Sequence, residues 1–177
     1  NTNFTLNGNI TTNGDDAPGI SIYASDNANI TINGNINVQG NTRLLNGRGI
    51  DIFNSSGITI TNLGTITTAG DDPYDIYVRG TTSIATLNNR QSGLTYYGKI
   101  PTNYNAVINS TSDYGKIIFS TVSGTTSFGI YAGSVLKSGT TYASVIDGLE
   151  SSNITAGHSG YYSYDGRTWA WTLENSS

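Results

Sequence analysis

Asn3-Phe-Thr-Leu-Asn-Gly-Asn-Ile10 returns as Asn29-Ile-Thr-Ile-Asn-Gly-Asn-Ile36, and a looser third copy reads Gly57-Ile-Thr-Ile-Thr-Asn62. The offset is about 26 from Phe4 to Ile30 and about 28 from Ile30 to Ile58, within the range of stacked solenoid units. A second marker, Ile10-Thr-Thr-Asn-Gly-Asp-Asp16, comes back as Ile66-Thr-Thr-Ala-Gly-Asp-Asp72, two such steps further on. Two independent markers share one period, and repetition at this spacing is the mark of a coil.

Inside each unit apolar residues alternate with polar ones: Phe4/Leu6, Ile20/Ile22, Ile30/Ile32, Ile36/Val38, Ile50/Ile52, Ile58/Ile60 and Ile76/Val78. That alternation is the signature of strands with one buried face. Asn-Gly steps at Asn7, Asn13, Asn33 and Asn46, with the two Gly-Asp-Asp turns, fall between the runs and are expected to supply positive-φ corners. No unit can bury its own apolar face. Winding the units as coils about 4.8 Å apart pairs equivalent strands in parallel, sets isoleucine on isoleucine and lets asparagines form amide ladders. The expected fold is therefore all-β, a right-handed parallel β-helix. An antiparallel sandwich uses similar strands and turns, but it has no reason to repeat at a fixed period.

Composition agrees. Of 177 residues only 11% are charged, glycine numbers 22, and cysteine and methionine are absent. Polarity comes instead from Asn, Thr and Ser, which are poor helix formers, so a helical bundle is excluded. Disorder is excluded by the β-branched and aromatic residues throughout the chain and by a net charge of only -4. The acidic balance lacks the basic footprint of a nucleic-acid binder. No apolar run is long enough to span a membrane, and the absence of an initiating methionine suggests a piece of a longer polypeptide.

The repeat fades after Ile84-Ala-Thr-Leu87, dividing the chain into coils over 1–94 and an atypical region over 95–177. Near the C-terminus, Asp165-Gly166 lies between Gly160-Tyr-Tyr-Ser-Tyr164 and Arg167-Thr-Trp-Ala-Trp-Thr-Leu173, a strong hairpin signal. A two-residue turn sets Tyr164 opposite Arg167 and Tyr162 opposite Trp169, with Trp171 on the same face. Tyr162, Tyr164, Trp169, Trp171 and Leu173 are thus expected to form a folding cap, an antiparallel β-hairpin that closes the coil interior. Val107-Ile108 and Ile117-Ile-Phe119 read as a second antiparallel pair.

Tyr104-Asn-Ala-Val-Ile108, Ser112-Asp-Tyr-Gly-Lys-Ile117, Gly139-Thr-Thr-Tyr-Ala-Ser-Val-Ile-Asp-Gly-Leu149, Ser152-Asn-Ile154 and the Trp169/Trp171/Leu173 strand together resemble the C-terminal stem of Gram-negative autotransporter passenger domains. The resemblance covers roughly residues 95–177. It implies export through the protein's own outer-membrane β-barrel translocator, which this chain lacks, and folding at the cell surface or after secretion. It also implies a C-terminal autochaperone region that nucleates the β-helix, often as part of an adhesin.

Chemistry is sparse. Asp15, Asp16, Asp71 and Asp72 lie two units apart on one edge, with Asp51 and Asp75 in reach. They could form a weak cation or ligand turn, or the acid cluster of a polysaccharide-cleaving β-helix, although Asp at a turn commonly caps its own backbone. His158 is the only histidine, which excludes a His-based triad or His-cluster zinc site within the chain. Tyr96, Tyr97, Tyr104, Tyr161 and Tyr162 would either cap the interior or form a contact patch for a host glycan or surface protein. Thr59/Thr61, aligned with Thr31/Asn33 and Thr5/Asn7, lacks the second threonine column of an ice-binding face. The expectation is a non-enzymatic stalk needing no cofactor.

Overall fold

The computed structural model describes residues 2–14, 17–39, 47–70 and 73–174, apart from the side chain of Val122. Three coils come first, each of three strands. They are β1 (Asn3–Leu6), β2 (Ile10–Thr12) and β3 (Ile20–Tyr23); β4 (Asn29–Ile32), β5 (Asn35–Val38) and β6 (Arg48–Phe53); β7 (Ile58–Asn62), β8 (Thr65–Thr68) and β9 (Tyr74–Arg79). Equivalent strands pair in parallel, so that one face of the coil carries β1-β4-β7, a second β2-β5-β8 and a third β3-β6-β9. The chain is a parallel β-solenoid.

Isoleucines stack as columns: Phe4, Ile30 and Ile60 on the first face, Ile10, Ile36 and Ile66 on the second, Ile20, Ile50 and Ile76 on the third. Full burial of each such side chain stabilises the fold by about 1.5–3 kcal/mol. The pairing corrects the spacing expected from sequence, because Ile30 lies against Ile60 and not against Ile58. A shift of two leaves every side chain on its own face, so alternation alone admits both registers. The larger step has a definite origin. The stretch from Ile36 to Ile50 is longer than its counterparts in the neighbouring coils, Ile10 to Ile20 and Ile66 to Ile76. The true register also aligns Thr5, Thr31 and Thr61 in one column, flanked by Asn3, Asn29 and Thr59.

Amide ladders run along the outside as expected: Asn29 Nδ2 donates to Asn3 Oδ1 (3.0 Å) and Asn33 Nδ2 to Asn7 Oδ1 (2.9 Å). The Asn-Gly corners, however, work differently from the expectation. Neither Asn7 nor Asn33, nor the glycine after each, has positive φ. Gly8, Gly34 and Gly64 instead stack on one another, and a Cβ on Gly34 or Gly64 would run into the carbonyl of the glycine below. Close backbone approach is what selects glycine there. Positive φ occurs at another corner, in the column Ala24 (47°), Asn54 (48°) and Gly80 (67°).

After β9 the coil loses a side. β10 (Ile84–Asn89) leads through Arg90 and Gly93 directly to β11 (Leu94–Lys99), and β12 (Asn103–Ala106) with β13 (Ile117–Ser123), then β14 (Thr126–Ile130) with β15 (Ile146–Asp147), continue on two faces. A 3₁₀ turn at Ser151–Asn153 leads into β16 (Ile154–Ala156), which pairs with β14. The revolution from Leu87 to Tyr104 is much shorter than the one from Ile60 to Leu87, and that from Tyr104 to Phe128 is intermediate. The repeat is lost to sight in the sequence here because the coil length changes, while parallel winding continues. Ile117-Ile-Phe119 accordingly pairs in parallel with Leu94-Thr-Tyr96, which overturns the expected antiparallel pair; here only an Ile108–Tyr114 bridge is antiparallel.

Candidate functional site

The end of the coil is sealed by β17 (Ser159–Tyr164) and β18 (Arg167–Thr172), an antiparallel hairpin whose register sets Tyr164 opposite Arg167 and Tyr162 opposite Trp169. Asp165 and Gly166 both have positive φ (49° and 69°), the conformation that Asp-Gly supplies in a two-residue turn. Trp171 meets Phe128 edge-on at 5.5 Å between ring centroids. Tyr162 is buried and donates its hydroxyl to Ser134 O (2.8 Å). Leu173 is half-buried against the core and its N–H donates to His158 O (2.7 Å). Trp169 lies 6.2 Å from Tyr162, whereas Tyr164 stands 47% exposed at the hairpin tip.

Trp171 continues an internal chain of rings. Phe128 lies 6.1 Å from Tyr104, Tyr104 6.4 Å from Phe119, and Phe119 5.2 Å from Tyr96. In register, Ile76 is followed by Tyr96 and Phe119, and Leu87 by Tyr104 and Phe128, so aromatic rings take over two aliphatic columns where the coil has two sides, while Leu94, Ile117 and Ile146 keep a third aliphatic. Tyr96 and Tyr104 are wholly buried, and burial holds both phenols well above the usual tyrosine range. Their hydroxyls donate to Lys99 O (2.6 Å) and Val145 O (3.3 Å). The tyrosines of the expected contact patch therefore separate: Tyr96 and Tyr104 are core, Tyr97 stacks on Tyr77 at 4.8 Å, Tyr162 is in the seal, and Tyr161 is 82% exposed.

A groove of about 720 Å³ marks the step where the second face stops at β8. Its decisive residue is Gln91, which sequence reasoning missed and which no motif announces. The Gln91 side chain accepts from Ile66 N (2.7 Å) and donates to Ile66 O (2.9 Å), standing in for the next strand of that face. Gln91 Nε2 also donates to Asp75 Oδ2 (3.1 Å), and the Asp75 carboxylate accepts further bonds from Thr95 N (3.0 Å) and Thr68 Oγ1 (3.2 Å). Burial raises the Asp75 carboxyl above its ordinary value, against the pull of these bonds. Across the groove Arg90 pairs with Asp113 and holds that carboxyl below the usual range.

Asp51 accepts from Arg48 (3.2 Å) and from both Nε and Nη2 of Arg79 (3.0 and 2.8 Å) one coil above. The carboxylates of Asp51 and Asp75 are thus committed to the chain's own donors. Asp15, Asp16, Asp71 and Asp72, the expected cation or ligand turn, lie outside the described residues. Among the described residues no cluster of three His, Cys, Asp or Glu side chains is placed to hold a metal ion. His158 sits in an exposed loop with Nε2 3.1 Å from Ile154 O. No helix among the described residues is long and apolar enough to cross a membrane. Comparison of the chain with protein families, curated proteins and solved structures gave no match.

Proposed function

We propose that this chain is a segment of a β-helical stalk from an exported autotransporter passenger, and that its C-terminal part nucleates coil formation. The observation that carries the reading is the hairpin that packs Trp171 and Leu173 against the C-terminal end of the core. At the C-terminal end the hairpin covers the interior and Trp171 closes the ring chain. A sealed end bearing an ordered edge lets each further coil add onto preformed strands, which avoids the entropy of first pairing distant segments. On this reading the coil grows toward the N-terminus, away from a stable C-terminal seed. The stalk's work is mechanical and needs no catalytic group.

Deletion of residues 95–177 is the test. The remaining 1–94 segment should be unfolded or aggregated by circular dichroism and sedimentation, whereas a soluble, cooperatively unfolding 1–94 segment overturns the nucleus role.

A further inference from the structure

The hairpin lies close to the coil only along part of its length. Arg167, Trp169 and Trp171 alternate onto one face of β18; Trp171 is pressed against Phe128, whereas Arg167 nearer the tip is exposed. Beside this part of the strand is an open cleft of about 560 Å³ whose lining includes Leu136, Lys137, Ser138, Arg167 and Trp169, a volume within the range of small-molecule sites. Its opposite wall is tied down: Val135 N donates to Ile108 O (2.7 Å), Lys137 N donates to the Tyr142 hydroxyl (3.0 Å), and Tyr142 packs edge-on against Tyr114 at 5.2 Å. That wall is held by the chain's own contacts.

Its charge is the second observation. The chain is acidic overall, at net -4, and three of its arginines, Arg48, Arg79 and Arg90, are engaged by Asp51 or Asp113. Lys137 and Arg167 converge on the cleft with no ion pair among the described residues, and no carboxylate is in the lining. Beside them the Trp169 indole and Leu136 offer an apolar floor, and Ser138 a hydroxyl.

We propose that this cleft binds a pyranose ring carrying a carboxylate, the chemistry shared by hexuronates and sialic acid. The C–H face of the ring rests on the Trp169 indole, whose π-face favours such contact. The carboxylate takes charge-assisted hydrogen bonds from Arg167 and Lys137, and a ring hydroxyl meets Ser138. The site is separable from the nucleating role, because Lys137 and Arg167 take no part in the contacts of Tyr162, Trp171 and Leu173 that cover the coil end.

The full chain is titrated in turn with methyl glucuronide, a methyl sialoside, neutral methyl glucoside and acetate, following the indole N–H signals of Trp169 and Trp171 by NMR. At least one acidic sugar should shift the Trp169 signal and leave Trp171, packed on Phe128, unmoved; which of the two does so assigns the source. The neutral glucoside and the K137Q/R167Q variant should each bind about tenfold or more weakly, the loss expected when a charged hydrogen bond is removed, with an unchanged thermal melt. Should the double variant not fold, K137Q alone, on the loop, should still weaken binding several-fold. The proposal is overturned if neither acidic sugar binds, if the glucoside or acetate matches them, or if a folded variant binds as tightly as the parent.

Discussion

Between Phe4 and Val78 the solenoid has three faces and an interior dominated by stacked isoleucine and valine, while between Tyr96 and Trp171 it has two faces and an interior in which a chain of rings joins Ile100, Ala106 and Ile117. The difference follows from cross-section. Three faces enclose a wide prism that rows of branched aliphatics fill from all sides, matching the β-propensity of isoleucine. With two faces fewer side chains point into the gap, so each must fill more volume, and buried phenols bring a hydroxyl that must find a carbonyl. The first half gains regularity, hence its visible repeat. The second gains specificity, since each ring has its own neighbours and each buried phenol its own hydrogen-bond partner.

The sharpest way to break this contrast is to remove a side chain at each end of the core. Tyr104→Ala, at a wholly buried ring, should cost about 3–5 kcal/mol in urea unfolding. Phe4→Ala, at a ring already 40% exposed, should cost only about 1–2 kcal/mol. Equal losses would mean that the buried rings contribute no more than a part-exposed one.

The step between the halves is tested through Gln91. Gln91→Ala leaves Ile66 N–H and C=O without their partner at the β8 edge, which should cost about 1–3 kcal/mol. An unblocked edge also templates pairing with other chains, so sedimentation of the variant should become concentration-dependent. A variant that is stable and monomeric would show that the edge needs no cover.

The smallest effect sharpens the chemical side of the comparison. The Tyr96 phenol is held protonated in the folded chain, whereas an unfolded tyrosine releases its proton near pH 10. Its raised value means that stability is fully present below about pH 10 and is lost as pH rises above that point. Tyr96→Phe removes the bond to Lys99 O and should cost about 0.5–1.5 kcal/mol at neutral pH. It should also flatten the fall in stability between about pH 10 and 11, read by denaturant titrations across that range.

The coil is legible in the sequence because isoleucine alternation and two markers recur, and the hairpin because Asp165-Gly166 divides two aromatic runs. Register is less so. An even shift preserves facing, and only backbone pairing distinguishes Ile58 from Ile60 as the partner of Ile30. Continued winding after Leu87 is hidden by the change of coil length and by rings in place of isoleucine. Gln91 is hidden for another reason: a side chain that imitates a strand carries no periodicity, and its partners Ile66 and Asp75 are distant in sequence. Lys137 and Arg167 carry no mutual spacing signal either, since they stand on separate elements far apart along the chain.

The long stretch between Ile36 and Ile50 illustrates how this architecture keeps its measure. Height along the axis is counted in paired strands, at about 4.8 Å each, so the number of residues joining two faces does not change it. Ile50 still meets Ile20 and Ile76 as if nothing had been inserted. The rise from Phe4 to the Trp171 seal is thus set by strand pairing and not by the number of residues between β5 and β6.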